Sequence, residues 1–203
     1  MDNQWNTIPS REVIDKTIEA LKANGINAFF VETGAEAKAA ALKLIPEGSE
    51  IMTMTSETAR LTGLAEELNT SGHYKPMRDR LASKDITQSE KRKLGGGADF
   101  VIGSVHAVTQ DGKALIASNT GSQLGSYAYG GGKVIWVVGA QKIVKDFDAG
   151  LKRIYDYVLA LESVRAHKAY GMPGSFVSKL LVINKEVSPD RLNMIIIGES
   201  IGF

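Results

Sequence analysis

The chain has 203 residues, with 24 Lys and Arg against 23 Asp and Glu, 43% hydrophobic and 23% charged. That length and balance suit one domain with a sizeable core and argue against disorder, and a formal net charge of +1 gives no electrostatic footprint for nucleic acid. The lack of any cysteine excludes disulfides, thiolate zinc sites, cysteine-held iron–sulfur clusters and a cysteine nucleophile.

The histidines His73, His106 and His167 lie far apart and show no metal-ligand spacing, so neither a metal nor a cofactor is expected. No apolar run approaches the ~20 residues needed to cross a bilayer. Met1 to Ser10 is polar and lacks the apolar core of a signal peptide. The expectation is a soluble cytoplasmic protein without membrane contact.

In chain order, Ser10 caps a helix whose face is Val13, Ile14, Thr17, Ile18 and Leu21, stopped by Asn24-Gly25. Residues 26–31 (INAFFV) read as a buried strand. An alanine-rich helix over 35–45 ends at Pro46, and a second strand (EIMTMT) covers 50–55. A helix over 57–69 carries a break at Gly63. The pattern over 71–84 is poor, with Pro76 and four positive charges, and reads as an exposed connection. Thr87-Gln-Ser-Glu90 is a capping box for a short helix. Strands are predicted over 99–103 (DFVIG), 113–117 after the Asp111-Gly112 turn, and 133–138 (KVIWVV), with one or two helical turns over 123–129.

Asp146 or Asp148 caps the next helix, whose apolar face is Leu151, Ile154, Tyr155, Val158 and Leu159. Residues 163–178, rich in Gly and Pro, read as a long loop. Two further strands follow, Leu180 to Ile183 and Met194 to Ile197, as a hairpin or as separate sheet insertions. Trp136 is a core residue, whereas Trp5 packs on the domain or on a neighbour. Helix and strand alternate, and strands without internal alternation are covered on both faces. The fold class is therefore α/β: a Rossmann-like three-layer domain with a mostly parallel sheet and two C-terminal strands added, forming a single domain over 1–203.

Such sheets collect ligands beyond the carboxyl ends of their strands. The turn after the second strand holds Thr55, Ser56 and Glu57, which offer an N-cap, hydroxyls and a carboxylate. After the third strand come Ser104 and His106, the latter with an intrinsic pKa near ~6.5 suited to acid–base work. Asn119, Thr120, Gly121, Ser122 and Gln123 make a polar turn able to hold a carboxylate or phosphate, though it is neither a Walker loop nor a dinucleotide fingerprint. Gly139 and Lys142 end the KVIWVV strand, with Lys142 placed to meet an anion. The triplets Gly95-Gly96-Gly97 and Gly130-Gly131-Gly132 read as structural connections. The expectation is that the turns near 55, 104, 121 and 140 meet in one cleft.

The segment from Gly103 to Val144, GSVHAVTQDGKALIASNTGSQLGSYAYGGGKVIWVVGAQKIV, resembles the lactate utilization (LUD) domain family. That family shows G-x-N-A-x-T-x-D-G, then T-G-N-R, then K-V-I-V-V-x-G-x-N-K-I-V. The AGLKRIY stretch from Ala149 and the ending GESIGF from Gly198 are similar to it too. The resemblance implies a fold like ribose-5-phosphate isomerase A, CoA transferases and the translation initiation factor 2B-related isomerases. It also implies a link to lactate oxidation beside iron–sulfur and dehydrogenase partner proteins. His106 stands where the family has Asn, and Ser122-Gln123 replaces Asn-Arg, so the charged carboxylate clamp is lost. The stretch from Ser163 to Ser178 lacks the cysteine cluster of many relatives. Val105 occupies the position of the isomerases' catalytic Asp, and no CoA-transferase glutamate is identifiable.

Three functions follow from this. The first is binding of a small organic acid or phosphorylated metabolite at the strand ends. The second is an isomerase or acyl-transfer enzyme using His106 or Glu57. The third is a non-catalytic subunit of a lactate-oxidising complex, with a homo-oligomer also open.

Overall fold

The computed structural model describes residues 3–203; Met1 and Asp2, where the polar N-terminal reading begins, lie outside the described residues. Among these, a six-stranded, wholly parallel sheet has the order β1-β10-β7-β4-β2-β3. Its strands are β1 (Asn27–Val31), β2 (Glu50–Thr53), β3 (Lys75–Pro76), β4 (Phe100–Gly103), β7 (Lys133–Gly139) and β10 (Leu192–Ile197). A second sheet of mixed direction has the order β8-β5-β6-β9, from β5 (Ala107–Thr109), β6 (Ala114–Ser118), β8 (Ile143–Val144) and β9 (Lys179–Ile183). The two C-terminal strands are thus no hairpin. β9 runs antiparallel to β6, while β10 inserts between β1 and β7 at the centre of the large sheet.

The unbroken apolar runs follow from a sheet covered on both sides. Val134, Trp136 and Val138 of β7, with Met194 and Ile196 of β10, face α1 (Arg11–Ala23) and the second sheet. Their alternate neighbours Ile135, Val137, Ile195 and Ile197 face α2 (Gly34–Lys43), α3 (Glu57–Leu61) and α4 (Leu64–Thr70). Each such side chain, fully buried, contributes roughly 1.5–3 kcal/mol. Trp136 is fully buried and meets Tyr127 edge-on at 5.4 Å. Trp5 packs on the small cluster of Ala107, Leu115, Val144 and Ile154.

Local signals behave as their chemistry predicts. Ser10 caps α1, and Ile14, Thr17, Ile18 and Leu21 are its buried face. Gly63 at φ +71° separates α3 from α4, a left-handed conformation glycine adopts without steric cost. Thr87 and Glu90 form the capping box of α6 (Gln88–Leu94).

Three expectations are corrected. The 71–84 connection contains β3 and the short helix α5 (Arg78–Ala82). The loop after β4 contains β5, whose three residues are too few to show a period. The predicted 163–178 loop is helical as far as Tyr170: α7 (Phe147–Arg153) continues through a wide π turn over 154–158 into α8 (Leu159–Tyr170), which ends at Gly171 with φ +67°. Widening one turn rotates the face that follows. Arg153 and Tyr157 are therefore buried, while Tyr155, expected inside, is 51% exposed.

Candidate functional site

The carboxyl ends of β2, β4 and β7 bring the first candidate residues together. After β2, Ser56 accepts from the Ala59 N–H and caps α3, which fixes the turn holding Thr55 and Glu57. After β4, Gly103 leaves no room for a side chain: a Cβ there would lie 1.9 Å from the Tyr127 hydroxyl. After β7, Lys142 turns back under the strand ends. It is 1% exposed, and its Nζ donates to Thr58 Oγ1 (3.0 Å), Ser104 Oγ (3.2 Å) and the Val105 carbonyl (3.2 Å). Burial, reinforced by the charge of Arg153, holds the Lys142 amine well below its ordinary pKa.

Thr55, Ser56, Glu57, Ser104, His106, Gln123 and Lys142 border an inner pocket of about 40 Å³, together with Tyr127, Glu162, Arg165 and Phe203. A single water needs ~10–15 Å³ of such space, so the pocket has room for a few waters or for one small group such as a carboxylate. The inner pocket adjoins an outer cleft of about 290 Å³ that shares Thr55, His106, Gln123, Glu162 and Arg165 with it. The outer cleft adds Asn119, Thr120 and Ser122 from the turn after β6, and apolar walls from Ile154, Val158 and Val177. Gly121, at φ +84°, forms the reverse side of that turn and borders a third cleft. The turns near 55, 104 and 121 and the Lys142 side chain therefore do converge.

Two expectations change. Gly139 does not border any of these clefts. It packs beneath the chain end, where a Cβ would meet Gln141 Oε1 at 2.2 Å and the Ile201 carbonyl at 2.7 Å. Its role is to let the 198–203 segment close over the strand ends, pinned by Gln141 Nε2 donating to the Ile201 and Gly202 carbonyls. The second change concerns His106. Its Nδ1 accepts from the Ala117 N–H at 3.1 Å, which assigns the ring proton of the neutral form to Nε2. Burial, then the charges of Lys142 and Arg153, push its pKa down to about 3. His106 is thus a fixed neutral N–H donor at physiological pH, not an acid–base group titrating near neutrality.

Sequence reasoning missed Glu162, Arg165 and Thr58. Glu162 and Arg165 form a bidentate pair, with both contacts at 2.7 Å. They enter the cleft because α8 continues where a loop was expected. A helical Glu-x-x-Arg spacing ahead of a glycine C-cap would have signalled this. Arg165 stands in the same pocket as Gln123, restoring a guanidinium to a turn without one. Glu57 is likewise held, its Oε2 accepting from Arg60 Nε (2.9 Å) and Nη2 (2.8 Å).

The charges at this place are unevenly paired. Both carboxylates of the inner pocket are matched by arginines. Lys142 and Arg153 are buried, and among the described residues neither has a carboxylate within ion-pair distance. Arg153 Nη1 donates to the His106 carbonyl at 2.7 Å and the guanidinium lies over the Tyr157 ring, while its Nε and Nη2 have no hydrogen-bond partner among the described residues. Burial lowers its pKa to about 10. Positive groups desolvated without a counter-charge are costly, and an incoming anion offsets that cost.

Residues 14–179 match the sequence profile of the LUD domain family. The chain belongs to the LUD domain family. It is accordingly a lactate-utilization-related domain. A DUF162 family protein from Deinococcus radiodurans has a similar fold, with a TM-score of 0.54 at 15% identity, covering 93% of this chain and 99% of that one. Looser likenesses are to a D-ribose-5-phosphate isomerase in complex with phospho-erythronic acid and to eIF2B beta from Chaetomium thermophilum. The first has a TM-score of 0.42 at 14% identity, covering 82% of this chain and 93% of that one. The second has 0.37 at 12%, covering 57% and 44%. No curated protein matches significantly by sequence.

In this LUD domain the departures at 106 and 123 acquire a physical reading. Where the resembled motif has Asn, the His106 Nδ1 supplies the acceptor that an amide oxygen would give to the Ala117 N–H. Gly202, at φ +70°, lies so close to Thr58 that a Cβ would stand 2.2 Å from its hydroxyl, so the GESIGF ending is built to pack on the Lys142 pocket.

Proposed function

We propose that this LUD domain is a cytoplasmic protein that binds a small organic acid of the lactate or pyruvate type at the strand-end cleft. The observation that carries this reading is the buried Lys142 amine, which shares the inner pocket with the neutral His106 ring and has no carboxylate within ion-pair distance among the described residues, so that an entering anion would draw a proton onto it. An oxyanion in the 40 Å³ inner pocket takes a hydrogen bond from His106 Nε2 and, in exchange for one of its three protein contacts, another from Lys142 Nζ, with Arg165 and Gln123 at the mouth. The apolar wall of the outer cleft covers the rest of the ligand.

Calorimetry and thermal-shift screening against lactate, pyruvate, sugar phosphates and acyl-CoAs test it. A ligand at a hundred times its Kd stabilises by about 2.7 kcal/mol. For a domain of this size that is roughly 5–10 °C in Tm. No response to any of them overturns the reading.

A catalytic version is favoured by one juxtaposition: the His106 donor and the Glu57 carboxylate share the inner pocket. Glu57 would take a proton from the carbon next to a carbonyl whose oxygen is held by His106, an enolisation of the isomerase type. Deuterium exchange into pyruvate, followed by NMR and lost in Glu57→Gln, is the expected result. Exchange that survives both Glu57→Ala and His106→Ala refutes the assignment. Since the chain carries no cysteine, thiolate-held iron–sulfur redox chemistry in lactate oxidation would belong to partner proteins.

A further inference from the structure

The third cleft, of about 840 Å³, lies on the far side of the turn after β6 and uses residues that the organic-acid reading leaves idle. Its walls are the end of β2, the helices α5 and α6, and the turn from Thr120 to Gly125. Arg78, Lys91 and Arg92 line it, and no carboxylate does among the described residues. Arg78 Nη2 donates only to the Thr55 hydroxyl, at 3.3 Å. Among the described residues neither Lys91 nor Arg92 has an ion-pair partner, although α6 carries Glu90, which is committed to the capping box with Thr87.

Basic residues in the last turn of α6 suit the helix dipole and by themselves say nothing of a ligand. Lys93 is such a residue and stays outside the cleft; Lys91 and Arg92 face into it with Arg78. Around them are hydroxyls of Thr55, Thr120 and Ser122 and the glycine backbone at 95, 96, 121 and 125. Three cations, several hydroxyls and close-approaching backbone, without a competing anion, are the chemistry that recognises a phosphate.

Thr55, Thr120, Ser122 and Gln123 are shared with the outer cleft, and Thr55 and Gln123 border all three spaces. The basic cleft and the inner pocket therefore adjoin at Thr55 and Gln123, and one ligand reaching past these two residues would occupy both. We propose that the basic cleft is a phosphate site, and that the ligand of this domain is an organophosphate whose phosphate lies among Arg78, Lys91 and Arg92 while its carbonyl or carboxylate end enters the inner pocket. The spanning half rests on the organic-acid reading of the inner pocket; the phosphate half stands without it.

Calorimetric titration with inorganic phosphate, pyruvate and phosphoenolpyruvate separates the two halves. Phosphate is expected to bind the full chain, with affinity falling at least tenfold in the Lys91→Gln/Arg92→Gln double variant and as salt is raised. Lys93→Gln, which removes a charge from the same helical turn outside the cleft, is the control and is expected to change affinity far less. Phosphoenolpyruvate is expected to bind at least tenfold tighter than phosphate or pyruvate and to displace both. Absent phosphate binding, or equal losses in the double variant and the Lys93→Gln control, overturns the phosphate site. Phosphoenolpyruvate no tighter than phosphate overturns the spanning ligand. Phosphate binding as described, with no response to pyruvate and with phosphoenolpyruvate binding only as phosphate does, upholds the basic cleft and overturns the organic-acid reading and the spanning ligand with it.

Discussion

Replacing His106 by Asn tests the most specific electrostatic statement made about the site. The Asn amide oxygen keeps an acceptor for the Ala117 N–H, now given to His106 Nδ1 at 3.1 Å, but it cannot titrate. In the folded wild type the imidazole pKa is pushed down to about 3, chiefly by burial. The unfolded chain has an ordinary His near ~6.5 and so binds a proton that the native state refuses. The stability at stake is therefore intact above pH ~6.5 and is lost progressively as pH falls toward 3. At about 1.36 kcal/mol per pH unit, acidification from pH 7 to pH 4 withdraws about 3 kcal/mol through this one residue. Carboxylates that titrate in the same range affect both proteins alike, so the difference between them isolates His106. Urea unfolding of wild type and His106→Asn at pH 7, 5.5 and 4 should show the variant gaining about 3 kcal/mol relative to wild type across that range. Nitrogen-15 NMR of the imidazole should show a proton on Nε2 only. Parallel stability losses in the two proteins, or a ring that titrates near 6.5, refute the reasoning.

Other substitutions probe the surrounding structure. Lys142→Met keeps the packed stem but removes the amine; since the Lys142 pKa is lowered by burial, wild-type stability should rise with pH toward the unfolded value near ~10.5, and the variant should lose that rise while losing anion binding in calorimetry. Gly103→Ala drives a methyl against the Tyr127 hydroxyl and should cost about 1–3 kcal/mol in urea unfolding, restored only in part by adding Tyr127→Phe, because the ring carbon and Met54 Cβ stay within 3.1–3.2 Å of the methyl. Arg165→Gln removes a charged donor from the pocket mouth and should weaken organic-acid binding roughly ten- to a hundredfold in calorimetry, a loss of about 1.5–3 kcal/mol. Trp136→Ala, at the fully buried centre of β7, should destabilise by about 3–5 kcal/mol in the same unfolding assay.

What was legible in the sequence follows from how burial writes itself into a chain. KVIWVV is readable as a strand because Val134, Trp136 and Val138 pack on one face and Ile135 and Val137 on the other, leaving no polar interruption. Ser10, Thr87 and Asp146 are readable as caps because a side-chain oxygen meets an orphan N–H within three residues. Turns at strand ends could be grouped into one cleft because a parallel sheet puts its carboxyl ends on one rim. Gly139 fails that logic: it sits at the rim but faces the chain end, a direction that spacing does not encode. The role of His106 depends on the Ala117 N–H, eleven residues away and visible only once β5 and β6 are paired. Arg165 and Glu162 were hidden by the glycines and proline after Tyr170, which mark the helix end, not a loop begun earlier. Arg78, Lys91 and Arg92 become a set only when α5 and α6 close on the end of β2.

The most direct test of the account is an NMR titration of the nitrogen-15-labelled chain with pyruvate, observing His106 Nε2 and the Lys142 Nζ together. The account predicts that both signals move along one saturable curve, with Lys142 taking up a proton as the anion enters. Binding that leaves both signals in place, or no saturable response at any pyruvate concentration, contradicts it.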